Sequence, residues 1–192
     1  MFFQQKAMRA FLRSWTKFIA LLILVCTLGS CSPAGTAGLE PFQSNNGRYG
    51  FFYPTGWTRI SVQGGPEVVF HDLINSDETL SLVVSDVGED VALENMGTAL
   101  EVGERLMNEL LAPNGGERQA ELLEANSRDI DGHSFYDIEY LIHLPDKDRH
   151  EIATVVLDHG ALFTFAAGTN EVRWNKVEGL FRRVISSFSF FV

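Results

Sequence analysis

Apolar and polar positions divide the chain into segments of different period. An apolar run, Phe18 to Leu28, follows a stretch whose charges are all basic (Lys6, Arg9, Arg13, Lys17). Residues Ser32 to Asn46 are small, polar and rich in Gly and Pro, which predicts a flexible tether that contributes nothing to a core. From Gly47 the texture becomes short β-rich runs between turn residues: Tyr49 to Tyr53, Trp57 to Val62, Val68 to Leu73 and Thr79 to Val84. Leu80, Leu82 and Val84 fall on one face of the last of these, with Ser81 and Val83 on the other.

Between Leu93 and Leu111 the spacing changes to three and four (Leu93, Met96, Leu100, Gly103, Leu106, Met107, Leu110), with glutamates mostly off the stripe, which predicts an amphipathic helix. Strands follow at Glu121 to Asp129, Ser134 to Leu144, Glu151 to Leu157 and Leu162 to Ala166, separated by hairpin chemistry at Asp131-Gly132, Pro145 to Asp148 and His159-Gly160. A second helix is expected from Val172 to Ser187, and the Phe188 to Val192 tail is too apolar to be left in water. Consecutive antiparallel strands with one helix in the middle and one at the end predict an α+β fold whose helices cover the sheet. The aromatic side chains, among them Phe51, Tyr53, Trp57, Phe188 and Phe190, are expected to fill the interior.

Charge is informative only after the opening segment is set apart. The whole chain carries 15 Lys plus Arg against 25 Asp plus Glu, a formal −10, which argues against nucleic acid as a partner. Basic stretch, 11-residue apolar run and Leu28-Gly29-Ser30-Cys31 have the layout of a secretory signal, residues 1–30, too short in its apolar part for a membrane span. Leu, two small residues and Cys resemble the lipobox of bacterial lipoproteins, in which the Cys thiol, here Cys31, is acylated and becomes the mature N-terminus. The expected organisation is thus a signal peptide (1–30), a lipidated tether (31–46) and one domain (47–192). Cleavage removes four basic residues and no acidic one, so the mature net charge is −14. With Cys26 removed and Cys31 acylated, no disulfide and no catalytic thiol remain.

The chain has no GxGxxG after a strand, no GxxxxGK, no HExxH and no GxSxG, which removes the common nucleotide, zinc-protease and serine-hydrolase readings. One polar cluster stands out, His143 to His150. If Pro145 to Asp148 is the hairpin loop, His143 faces His150 with Cβ atoms about 5 Å apart, close enough to share a divalent ion. Two solvated histidines beside an acidic loop is the alternative.

Gly50-Phe51-Phe52-Tyr53-Pro54-Thr55-Gly56-Trp57, Gly65 to Leu73, Leu80 to Val84, Asp158-His159-Gly160, Arg173-Trp174 and Ser186-Ser187-Phe188 together resemble the PsbP family of photosystem II extrinsic proteins. With the lipobox, the similarity is greatest to the family's cyanobacterial lipoprotein member. The resemblance spans Gly47 to Val192. It implies an α/β/α sandwich around a central antiparallel sheet and a non-enzymatic role on the lumenal side of thylakoid membranes, at photosystem II or its assembly intermediates. It also implies binding of divalent metal (zinc, manganese or calcium), none obligatory, through His150 and Glu171. His143 enters only through the hairpin argument. Two readings outside photosystem II stay open: a lipoprotein that binds a small ligand or metal ion, and a hydrolase with an unrecognised site.

Overall fold

The computed structural model describes residues 36–88, 91–113 and 116–191; the signal peptide and Cys31 lie outside them. From Gly38 onward the chain forms one compact unit. Its strands are β1 (Leu39–Gln43), β2 (Tyr49–Pro54), β3 (Thr58–Ile60), β4 (Val68–His71), β5 (Thr79–Asp86), β6 (Gln119–Ile130), β7 (His133–His143), β8 (Asp148–Asp158), β9 (Ala161–Asn170) and β10 (Ser189–Phe190). The helices are α1 (Ala99–Leu106) and α2 (Glu171–Ile185). Among the described residues, seven strands form an antiparallel sheet in the order β3-β4-β5-β9-β8-β7-β6, and three form a small sheet, β1-β2-β10.

The large sheet is covered on both faces, as expected of an α/β/α sandwich. On one side α2 buries Trp174, Val177, Phe181, Val184 and Ile185 against Leu80, Leu82, Phe163 and Phe165, and the small sheet adds Tyr49 and Phe51. The Phe51 and Phe165 rings lie 4.4 Å apart, and Phe188 packs on both Tyr49 and Phe165. The aromatic residues thus fill the core, and the C-terminal tail is used: Phe188 is buried and Ser189–Phe190 pairs with β2.

On the other side Leu93, Ala99 and Val102 meet Tyr136, Ile138, Tyr140 and Val155. Gly103 permits this approach, since a Cβ there would lie 2.7 Å from Leu122 Cδ1 and 3.1 Å from Ile138 Cγ2. The Tyr136 and Tyr140 hydroxyls donate to Gly97 O and Gly103 O, both at 2.9 Å, so neither buried phenol lacks a partner.

Three expectations are corrected. The tether does not run intact to Asn46: Leu39–Gln43 pairs with β2, and Leu39 and Phe42 pack on the core, because two apolar residues outweigh the small polar ones around them. The segment from Leu93 to Leu111 is not one helix. A 3₁₀ turn, Leu93–Met96, stops at Gly97 (φ +116°), and α1 restarts at Thr98 with a capping box to Glu101 before ending in a π turn, Met107–Leu111.

The third correction is the register of the β7–β8 hairpin. Its loop is Leu144–Lys147, closed by Leu144 N donating to Lys147 O at 2.9 Å. Pro145 takes the second loop position, where its fixed φ fits. His143 therefore faces Asp148, and His150 faces Leu141.

Candidate functional site

His150 sits on the α2 side of the large sheet at the start of β8, almost entirely buried. Its ring stacks on Trp174 at 3.8 Å between centroids and 7° between planes. Nδ1 lies 2.6 Å from Glu171 Oε2, and Nε2 lies 2.7 Å from Glu139 Oε1. Carboxylates only accept, so both contacts are hydrogen bonds when each ring nitrogen carries a proton. Glu139 Oε2 accepts from Arg182 Nη2 at 2.7 Å, and Arg182 Nε donates to Glu178 at 2.8 Å. Burial pulls the Arg182 pKa down, but the hydrogen bonds to Glu178 and Glu139 outweigh it and hold the group above its ordinary value.

Two of the three metal residues named from the sequence therefore meet and the third does not. His150 and Glu171 touch, whereas His143 reaches Asp148 Oδ1 through Nδ1 at 2.8 Å and Glu121 Oε1 through Nε2 at 3.3 Å. The two nitrogens of His150 point in opposite directions, so Glu139 and Glu171 cannot converge on one ion with it. Among the described residues no group of three or more His, Cys, Asp or Glu is placed to hold a metal. An ion taking the place of the proton between His150 Nδ1 and Glu171 would have two protein ligands and water for the rest, which fits a weak site only.

Hydrogen bonding to Asp148, and secondarily to Glu121, raises the His143 pKa. NMR titration of its ring protons is expected to give a midpoint above the usual value of about 6.5, and Asp148→Asn to lower it. Because the folded-state pKa is the higher one, the associated stability is complete below the unfolded value and is lost as pH rises through the folded value.

A second polar network, which the sequence reading missed, ties three chain segments together beside His150. Asp77 binds Lys147 and accepts from Asn170 Nδ2 at 2.7 Å; these contacts, Lys147 first, hold its carboxyl below the usual range. Arg149 lies across Gly168, where a Cβ would be 2.8 Å from its Cζ, and donates to Asp77 O at 2.8 Å and to Thr79 Oγ1 at 2.6 Å. Arg173 Nε donates to the buried Glu78 at 2.6 Å. These partners lie about 70 to 95 residues apart in sequence, so no local pattern announces them.

At the opposite end of the sheet, Asp158 accepts from His133 Nε2 (3.1 Å), His159 Nδ1 (2.7 Å) and Arg48 Nη2 (2.8 Å). Burial pushes its pKa up, but these contacts together hold it below the ordinary value. His159 has φ +45° in its tight turn, as expected of a turn residue.

Residues 37–190 match the family model described as PsbP. The chain belongs to the PsbP family. It is 41% identical over 174 residues to CyanoP of Synechocystis sp., covering 88% of this chain and 93% of that one. It is 36% identical over 175 residues to CyanoP of Thermosynechococcus vestitus, covering 88% and 94%. The solution structure of Synechocystis CyanoP superposes with a TM-score of 0.71, covering 86% of this chain and 99% of that one. The PsbP match begins at residue 37, two residues before β1, consistent with β1 being part of the domain rather than of a tether.

Proposed function

We infer that the protein is a lipid-anchored accessory protein of photosystem II on the lumenal side of thylakoid membranes. It is non-enzymatic and aids assembly or stabilisation of the oxygen-evolving complex. The observation that carries the reading is the likeness to two CyanoP proteins over almost their whole length, joined to a lipobox at Cys31. Tethering confines the search for a partner to two dimensions, so weak contacts suffice through effective concentration. The hydrolase reading gains nothing from the hollow beside α2. It has a volume of about 180 Å³, and its carboxylates Asp137 and Glu139 are ion-paired to Arg128 and Arg182.

Affinity purification of the lipidated protein from solubilised thylakoids, read by mass spectrometry, is expected to enrich photosystem II subunits or assembly intermediates. Recovery of the protein without them would favour the rival reading, a lipoprotein that binds a small ligand or metal ion alone.

Weak divalent-metal binding belongs to the same proposal, with His150 and Glu171 as protein ligands. Zinc or manganese titration should show affinity that weakens on acidification, since protons compete with the metal for the ligand atoms. His150→Ala and Glu171→Gln should each abolish it, and His143→Ala should leave it intact. Equal binding by wild type and His150→Ala removes the metal from the proposal.

A further inference from the structure

The register of the large sheet gathers separate loops at one end of the domain. Thr58 faces His71, His71 faces Thr79, Thr79 faces Gly168 and Gly168 faces Glu151. The turn between β4 and β5, the Leu144–Lys147 loop and the β9–α2 junction all leave the sheet there. The chain also enters the domain at this end. Gly38 O accepts from Thr55 N at 2.9 Å, Leu39 faces Pro54, and the turn after Pro54 leads straight into Thr58.

This entry end carries the three most exposed large apolar side chains among the described residues: Ile74 at 90%, Val172 at 87% and Leu73 at 67%. They are held outward by a bonded frame. Asp72 Oδ1 accepts from Ile74 N at 2.8 Å, Asp72 Oδ2 accepts from Asn75 Nδ2 at 2.9 Å, and Asp72 N donates to Glu78 O at 3.2 Å. Glu78 is in turn paired with Arg173, next to Val172. Several nearby charges are neutralised within the domain, Lys147 by Asp77 and Arg149 by Glu151. A paired charge loses less than a lone one on approaching a medium of low dielectric.

We propose that the entry end is a membrane-contacting face, with Leu73, Ile74 and Val172 seated in the interfacial region of the lipid bilayer. The inference rests on acylation of Cys31. Cys31 and Gly38 are seven residue steps apart, with six residues between them, and lie at most about 25 Å from each other even fully extended. The acyl chains therefore keep this end, and these side chains, next to lipid. Exposed apolar groups beside a lipid anchor add interfacial burial that the anchor alone lacks. Their contact gives the domain a fixed orientation, with the Asp158 end directed away from the bilayer.

The test uses the full lipidated chain, in which an introduced cysteine is the sole free thiol. Ile74→Cys and, at the far end, Ile130→Cys, also an exposed isoleucine position though less so at 43%, are labelled with an environment-sensitive nitrobenzoxadiazole and reconstituted into vesicles containing nitroxide lipids. The label at 74 is expected to shift to the blue and to be quenched several-fold more than the label at 130. Protein that floats with the vesicles but quenches equally at both positions overturns the inference and leaves acylation standing. Protein that fails to float overturns acylation and the inference with it. Shielding at 74 that occurs in native thylakoids and not in protein-free vesicles also overturns it, by assigning the patch to a protein partner.

Discussion

Cys31→Ala is expected to move nearly all of the protein from the membrane fraction to the soluble fraction. Each buried acyl methylene contributes about 0.8 kcal/mol, and stable attachment takes two chains, which the diacylglyceryl group of a lipobox cysteine supplies. Among the described residues nothing provides a comparable hold. Removal of residues 1–30 would leave a net charge of −14, which an anionic bilayer repels. Among the described residues no helix is long and apolar enough to cross a membrane. Leu73, Ile74 and Val172 are three side chains, too few to retain a protein of this charge without the anchor. Detergent phase partition of wild type and variant, with mass spectrometry of the mature N-terminus, reads the outcome. A variant that stays with the membrane, or a wild-type N-terminus without acyl chains, would show that another element holds the protein there. Loss of photosystem II subunits on affinity purification should accompany the release.

The parts of the fold legible in the sequence were those with a strong local period. Helix α2 was expected at Val172 to Ser187 and lies at Glu171–Ile185, since its apolar positions recur without interruption. The Asp131-Gly132 and His159-Gly160 turns have positive φ at both residues, the conformation their composition favours. The missed break at Gly97 had a signal: Thr98-Ala99-Leu100-Glu101 is a capping-box sequence inside the apolar stripe, and it restarts the helix there. β1 was obscured because its five residues include Pro41 and Glu40 and follow a Gly- and Pro-rich stretch, although it pairs along its whole length with β2, the next strand.

At the site, the two residues implied by family resemblance were brought together and the one derived from hairpin spacing was not. The spacing argument depended on register, and moving the loop by one residue at its start and its end shifts the pairing by two. His143 then takes Asp148 as partner, and His150 is left facing Leu141 and free to stack on Trp174. The Asp77, Arg149, Asn170 and Glu78, Arg173 contacts were illegible for a different reason. They join strand ends that only the completed sheet order places side by side.

Trp174→Ala is expected to destabilise the domain by about 3 to 5 kcal/mol, a large share of the roughly 5 to 15 kcal/mol typical of a domain. The indole is buried, stacked on His150, set edge-on to Phe181 at 6.4 Å and covered by the Arg182 guanidinium at 5.8 Å. Its removal leaves a cavity and opens the His150–Glu139 pair to water. Urea unfolding followed by circular dichroism measures the loss, and thermal unfolding should show a midpoint lower by about 10 °C. Trp174→Phe keeps a stacking ring and should lose much less. An unchanged midpoint in Trp174→Ala with impaired partner association would instead make the indole a recognition surface. A double-mutant cycle with His150→Ala separates the stack from general packing: rings in direct contact should couple by about 0.5 to 1.5 kcal/mol. A coupling near zero would mean that His150 is held by its two glutamates alone. The indole would then matter to the His150–Glu171 contact only through the volume it fills.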